Sequence, residues 1–225
     1  MNTNQHSKNG SKLFKNTWPQ RVAVLLFLGL IIAVGAWLIL GSDKDATITS
    51  DNPVAQEYQK RLPDLQNKVD QEPRSAAARV DLAVALYATG EVEAAKKQYE
   101  KAVELDDSNA TAYNNLGNVY RDLKDTDKAV QAYEQAIRLN GKLINPYFNL
   151  ANLQQYTLQK TDQAIQTYQK ALKALPDNEQ VMVSLALAYE ANKDTDKAEQ
   201  LYRSILSKNP DNTAAQTNLD RITKQ

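Results

Sequence analysis

Asparagine dominates the polar chemistry in the middle of this chain. Asn114, Asn115 and Asn118 lie in AYNNLGNVYRDLKDTDKAVQAYEQAI (112–137), and Asn149 and Asn152 in YFNLANLQQYT (147–157). A carboxamide both donates and accepts, so it can pair with the backbone of an extended chain whatever that chain's side chains are. Asparagine is also a poor helix former, yet these residues sit in runs that otherwise read as helical. Two explanations stand side by side: a ladder that contacts a ligand, or polar cover that this kind of helix tolerates.

The groups that would carry catalysis are scarce. The single histidine is His6, and cysteine is absent, which excludes thiolate nucleophiles, thiolate metal sites and disulfides. No serine has a lysine three residues later, which removes the S-x-x-K nucleophile pattern. There is no glycine-rich phosphate loop either. Acids gather at Asp122, Asp125 and Asp127, and again at Asp194 and Asp196. A calcium loop would need a glycine and a later glutamate in register, and neither follows. These acids read as helix-start and solvating residues. The expectation is no enzyme, no cofactor and no metal.

The elements that must position the asparagines come from composition and period. Of 225 residues, 42% are hydrophobic and 24% charged, with only 7 Gly and 7 Pro, which disfavours a turn-rich β fold. The zero net charge hides an asymmetry. Residues 1–21 hold Lys8, Lys12, Lys15 and Arg21 without an acid, leaving 23 basic against 27 acidic residues for the rest. A nucleic-acid binder needs a basic face, so nucleic acid is not expected as a partner.

Val22–Leu40 (VAVLLFLGLIIAVGAWLIL) is free of charge and strong polarity. At 1.5 Å per residue it reaches roughly 28 Å, about a bilayer's hydrocarbon core. Trp18 and Trp37 lie near its ends. A cleaved signal peptide would have a shorter core and a small-x-small cleavage site, so the expectation is a transmembrane helix over 22–41. The flanking charges lead one to expect the basic tail (1–21) in the cytoplasm and the remainder outside it, and the layout and compact size suggest a bacterial inner membrane. Residues 42–52 read as a polar linker.

From there the chain repeats. Tyr99, Tyr133, Tyr168 and Tyr202 are 34, 35 and 34 residues apart, each four residues after an alanine (Ala95, Ala129, Ala164, Ala198). Leu82, Leu116, Leu150 and Leu185 keep the same beat. The units are 76–109, 110–143, 144–178 and 179–212, and each holds two runs of 3.6-residue periodicity around a polar hinge, hence two amphipathic helices. The extra residue of the third unit is placed in the turn at 157–162. Residues 53–75 read as a flanking helix or helices, with a break expected at Pro63. Residues 213–225 read as a capping helix.

These residues resemble the tetratricopeptide repeats (TPR). The family prefers Leu at position seven of a unit, Gly or Ala at eight, Tyr at eleven, Ala at twenty, an aromatic at twenty-four and Ala at twenty-seven. Unit two supplies Leu116, Gly117, Tyr120, Ala129, Tyr133 and Ala136. Unit three follows with Leu150, Ala151, Ala164, Tyr168 and Ala171, but has Gln154 in place of the Tyr at eleven. Unit four supplies Leu185, Ala186, Tyr189, Ala198 and Tyr202. The resemblance implies an all-α, right-handed solenoid of about four helix-turn-helix units plus a cap, here preceded by the transmembrane helix.

It also implies a concave groove built from positions two, five, six, nine, twelve and thirteen of each first helix. That groove holds Val80, Val84 and Tyr87, then Asn114, Asn115, Asn118 and Arg121. It continues with Phe148, Asn149, Asn152, Gln155 and Tyr156, and ends with Leu187. At 100° per residue these positions lie opposite the packing seam, so Asn118 and Asn152 are expected to be dispensable for stability. With Arg121 as the lone central cation, a carboxylate clamp is not expected. The function expected is a membrane-tethered scaffold for a protein or peptide partner. Alternatives are an assembly factor of cytochrome c maturation or pilus type, and a self-associating structural protein.

Overall fold

Several of the helices begin where a side chain satisfies one of their first backbone amides. Ser75, Asn109, Asn178 and Asn212 accept from the amides of Ala78, Ala112, Val181 and Ala215 at 2.9–3.2 Å, the N-cap geometry worth about 1 kcal/mol per helix. A computed structural model describes residues 52–224. Among them are ten α-helices and no strand.

Helix α1 (Pro53–Gln71) is followed by four helical hairpins. They are α2 (Ala76–Ala88) with α3 (Val92–Leu105), α4 (Ala110–Asp122) with α5 (Thr126–Leu139), α6 (Ile144–Asn152) with α7 (Thr161–Ala174), and α8 (Glu179–Ala191) with α9 (Thr195–Lys208). Helix α10 (Thr213–Thr223) lies against the last hairpin, with Ala215 and Leu219 buried.

Small residues and tyrosines hold each hairpin shut. Ala95, Ala129, Ala164 and Ala198 have no exposed surface, and Tyr99, Tyr133, Tyr168 and Tyr202 are buried beside them. An alanine lets two helix backbones approach, and a phenol ring one turn later fills the widening gap. Gly117 takes this furthest: a Cβ there would lie 2.6 Å from the Tyr133 ring.

Three sequence expectations need correction. Among the described residues the fold class is an all-α solenoid, and the spanning helix expected at its start is not among their helices. No helix among the described residues is long and apolar enough to cross a membrane: all but α1 have 14 residues or fewer, and α1, with 19, carries six charged side chains. Val22–Leu40, with the basic tail and nearly all of the linker, lies outside the described residues. Second, α1 runs unbroken through Pro63. Pro63 is exposed, and Leu65 and Val69 bury the opposite face against α2, which offsets the lost backbone bond.

Third, the extra residue of the third hairpin sits inside its first helix. Residues Leu153–Thr157 form a π turn. There the Leu158 amide bonds back to Leu153, five residues away, whereas the equivalent Leu123 amide bonds to Val119, four away. A π turn absorbs one residue without breaking the helix.

The hinges carry a conformational cost. Gly90 has φ 87°, and the equivalent Lys124, Gln159 and Lys193 have φ 62°, 55° and 64°. A left-handed non-glycine residue costs roughly 1–2 kcal/mol, against roughly 0.5–1 kcal/mol for the extra unfolded-chain freedom of glycine. Lys124→Gly and Lys193→Gly are each expected to stabilise the fold by about 0.5–1 kcal/mol, read as a higher urea midpoint with unchanged slope.

Candidate functional site

Side chains lace the first helices of neighbouring hairpins together. The Tyr87 hydroxyl of α2 donates to the Asp122 carboxylate of α4. The Asn149 amide of α6 donates to the Asn114 Oδ1 of α4 at 2.9 Å. At the far end, Arg221 of α10 pairs with Glu190 of α8 at 2.6 Å. These contacts join α2 to α4, α4 to α6 and α8 to α10, and the sequence-expected residues can be placed along this row of first helices.

The tyrosine hydroxyls of the second helices decide how the asparagines are used. Tyr133 donates to Asn118 Oδ1 at 2.8 Å, and Tyr168 to Asn152 Oδ1 at 3.0 Å. Asn118 and Asn152 therefore serve the packing seam through their oxygens, contrary to the helical-wheel expectation. Where position nine is apolar, the hydroxyl goes elsewhere. In the first hairpin that position is Val84, and Tyr99 bonds to Asn115 of the next hairpin. In the fourth it is Leu187, and Tyr202 donates to Glu190 Oε1 at 2.7 Å.

The remaining expected residues divide by exposure. Asn114 is buried at 8% exposure, accepting from Asn149 and donating to Asn115 at 3.3 Å. Val80, Val84 and Tyr87 are half-buried against the N-terminal core. Phe148 packs edge-on to Tyr168 at 5.7 Å, and Gln155 is half-buried. Arg121 is exposed and paired with Asp122 at 2.9 Å. Tyr156 is 71% exposed and Leu187 40% exposed. Tyr156 owes its position to the π turn on which it sits.

Asp122 and Glu190 stand at groove positions thirteen and twelve, and Arg221 on the matching face of the capping helix; the structure engages all three, Asp122 with Tyr87 and Glu190 with both Tyr202 and Arg221. With an apolar Leu187 at position nine, the Tyr202 hydroxyl turns to Glu190 as the next polar side chain on that face. Among the described residues no three His, Cys, Asp or Glu side chains gather as a metal site would need.

Burial raises the tyrosine pKa values. Tyr99, Tyr133 and Tyr168 are each pushed up to about 12, desolvation being the largest cause. In the unfolded chain tyrosine ionises near 10. The fold thus disfavours the phenolate, so its full stability is held below about pH 10 and is lost as pH rises toward 12. The urea midpoint is expected to fall over that window, with tyrosinate absorbance rising in step with unfolding.

The geometry defines a helical-hairpin repeat protein with a polar face of first helices, and comparison with known proteins agrees. Family models described as TPR repeat and tetratricopeptide repeat match residues 83–123, 110–143 and 156–221, together more than half of the chain. The chain belongs to the tetratricopeptide repeat family. No curated protein matches its sequence.

Solved structures share the fold. MamA is 24% identical, with TM-score 0.61 over 68% of this chain and 89% of that one. YrrB, described as a TPR protein with an unusual peptide-binding site, is 22% identical, with TM-score 0.56 over 70% and 81%. PilF of Pseudomonas aeruginosa is 23% identical, with TM-score 0.59 over 76% and 82%. At such identities the likeness concerns the fold alone.

Proposed function

We propose that this protein is a non-catalytic interaction scaffold whose first-helix face, from α4 to α8, binds an extended segment of a partner protein. One observation carries the reading. The oxygens of Asn118 and Asn152 are held by buried tyrosines, and among the described residues nothing meets either Nδ2. Two donors are thus fixed in place on adjacent hairpins, as recognition of a peptide backbone requires. Exposed Tyr156 and Leu187 flank them as side-chain contacts. The resemblance to YrrB, named for a peptide-binding site, points the same way.

The test separates donor from packing role. Peptides are selected from a random phage library against the full-length protein, and their affinities measured. Asn118→Asp with Asn152→Asp keeps an acceptor for each tyrosine hydroxyl and removes both donors. The double variant is expected to melt within a few degrees of wild type and to bind the selected peptide at least tenfold more weakly, about 1.4 kcal/mol. Unchanged affinity sinks the reading. Sedimentation velocity over a wide concentration range tests the competing reading, self-association through the same face.

A further inference from the structure

A cavity of about 410 Å³ opens between α5, the π turn and α7, and its origin lies in the repeat itself. In the second hairpin, Tyr120 fills the equivalent space and donates to Glu100 Oε1 at 2.9 Å. In the fourth, Tyr189 fills it and accepts from Gln169 Nε2 at 2.8 Å. Each ring also carries a lysine over its face, Lys128 at 5.4 Å and Lys197 at 5.1 Å. The third hairpin lacks both groups. Gln154 stands at the tyrosine position and Gln163 at the lysine position, and both line the cavity. Glu134, the counterpart of Glu100 and Gln169, sits at the rim with no ring to meet.

What remains is shaped for the missing group. Ile137 and Leu150 supply apolar wall. At the floor, Gln154 is 8% exposed, and its Oε1 accepts from the buried Thr167 hydroxyl at 2.8 Å. Its Nε2 has no partner among the described residues. A donor so placed favours a ligand that ends in an acceptor, because an apolar tip would displace water from it without replacing the hydrogen bond. The volume lies within the range of roughly 300–1,000 Å³ typical of ligand pockets.

We propose that this cavity is a phenol socket, which takes the tyrosine side chain of a bound protein. The ring enters between Ile137 and Leu150, and its oxygen accepts from Gln154 Nε2. A chain that donates such a tyrosine reaches the second helices, so the site is independent of the asparagine face.

The test uses isotope-labelled full-length protein titrated with p-cresol, toluene and N-acetyl-tyrosinamide, followed by amide chemical shifts. p-Cresol is expected to move the signals of Leu150, Gln154 and Thr167, and toluene to bind at least tenfold more weakly. Binding of N-acetyl-tyrosinamide at the same signals assigns the socket to a protein tyrosine. Binding of p-cresol alone assigns it to a free phenol and removes the protein tyrosine from the proposal. Gln154→Tyr rebuilds the family contact to Glu134 and is expected to raise the melting temperature and abolish p-cresol binding. Gln154→Leu keeps the space and should erase the preference for p-cresol over toluene. The proposal is overturned by absence of p-cresol shifts in the wild type, by equal binding of toluene, or by p-cresol binding that survives Gln154→Tyr.

Discussion

Tyr133→Ala is expected to lose about 3–5 kcal/mol of folding stability, the range for removing a large buried aromatic. Its ring has no exposed surface and lies directly over Gly117. Ala129, Ala132 and Ala136 on the same helix are too small to fill the space. Tyr133→Phe isolates the hydroxyl. It leaves the Asn118 oxygen without its 2.8 Å partner, at about 1 kcal/mol. Urea denaturation followed by far-ultraviolet circular dichroism reads both. If phenylalanine costs as much as alanine, the hydrogen bond and not ring packing closes the second hairpin.

Gly117→Ala is expected to destabilise by about 2–3 kcal/mol, the upper part of the range for overpacking a core. The direction is the informative part. In an exposed helix the same change gains roughly 0.5–1 kcal/mol, since glycine is the poorer helix former. Here the new methyl would sit 2.6 Å from two ring carbons of Tyr133, with another at 3.1 Å. The ring cannot swing away while its hydroxyl is bonded to Asn118. A double-mutant cycle makes the cause explicit. In the Tyr133→Ala background the clash is gone, and Gly117→Ala should become neutral or stabilising. A loss that persists there would place the obstacle in the backbone of α5.

The repeat was legible in the sequence because its signals are contacts between fixed partners. An alanine four residues ahead of a tyrosine, four times over, can mean only a close helix pair and a ring that covers it. The amide character of the first-helix face was legible for the same reason. What the asparagines do there was not. A wheel at 100° per residue gives a direction, and Asn118 points away from the leucines of the seam. It takes no account of a tyrosine long enough to carry its hydroxyl past that seam and reach the asparagine from behind. Asn114 was misplaced for a related reason, since its burial depends on Asn149 arriving from the neighbouring hairpin. Pro63 misled because a proline's penalty is local, while the burial of Leu65 and Val69 that outweighs it is tertiary.

The π turn at Leu153–Thr157 has the effect that a one-letter insertion has on a reading frame. Up to Gln154 the third hairpin can be spelled position for position against its neighbours, and after Leu158 it can be spelled again one letter late. Between them the correspondence is undefined: Tyr156 has no counterpart in the other hairpins and answers to no consensus. A comparison built on fixed 34-residue words puts this tyrosine in the column of Asp122, although it is the added residue of the π turn, and not that column, that sets where its exposed ring stands.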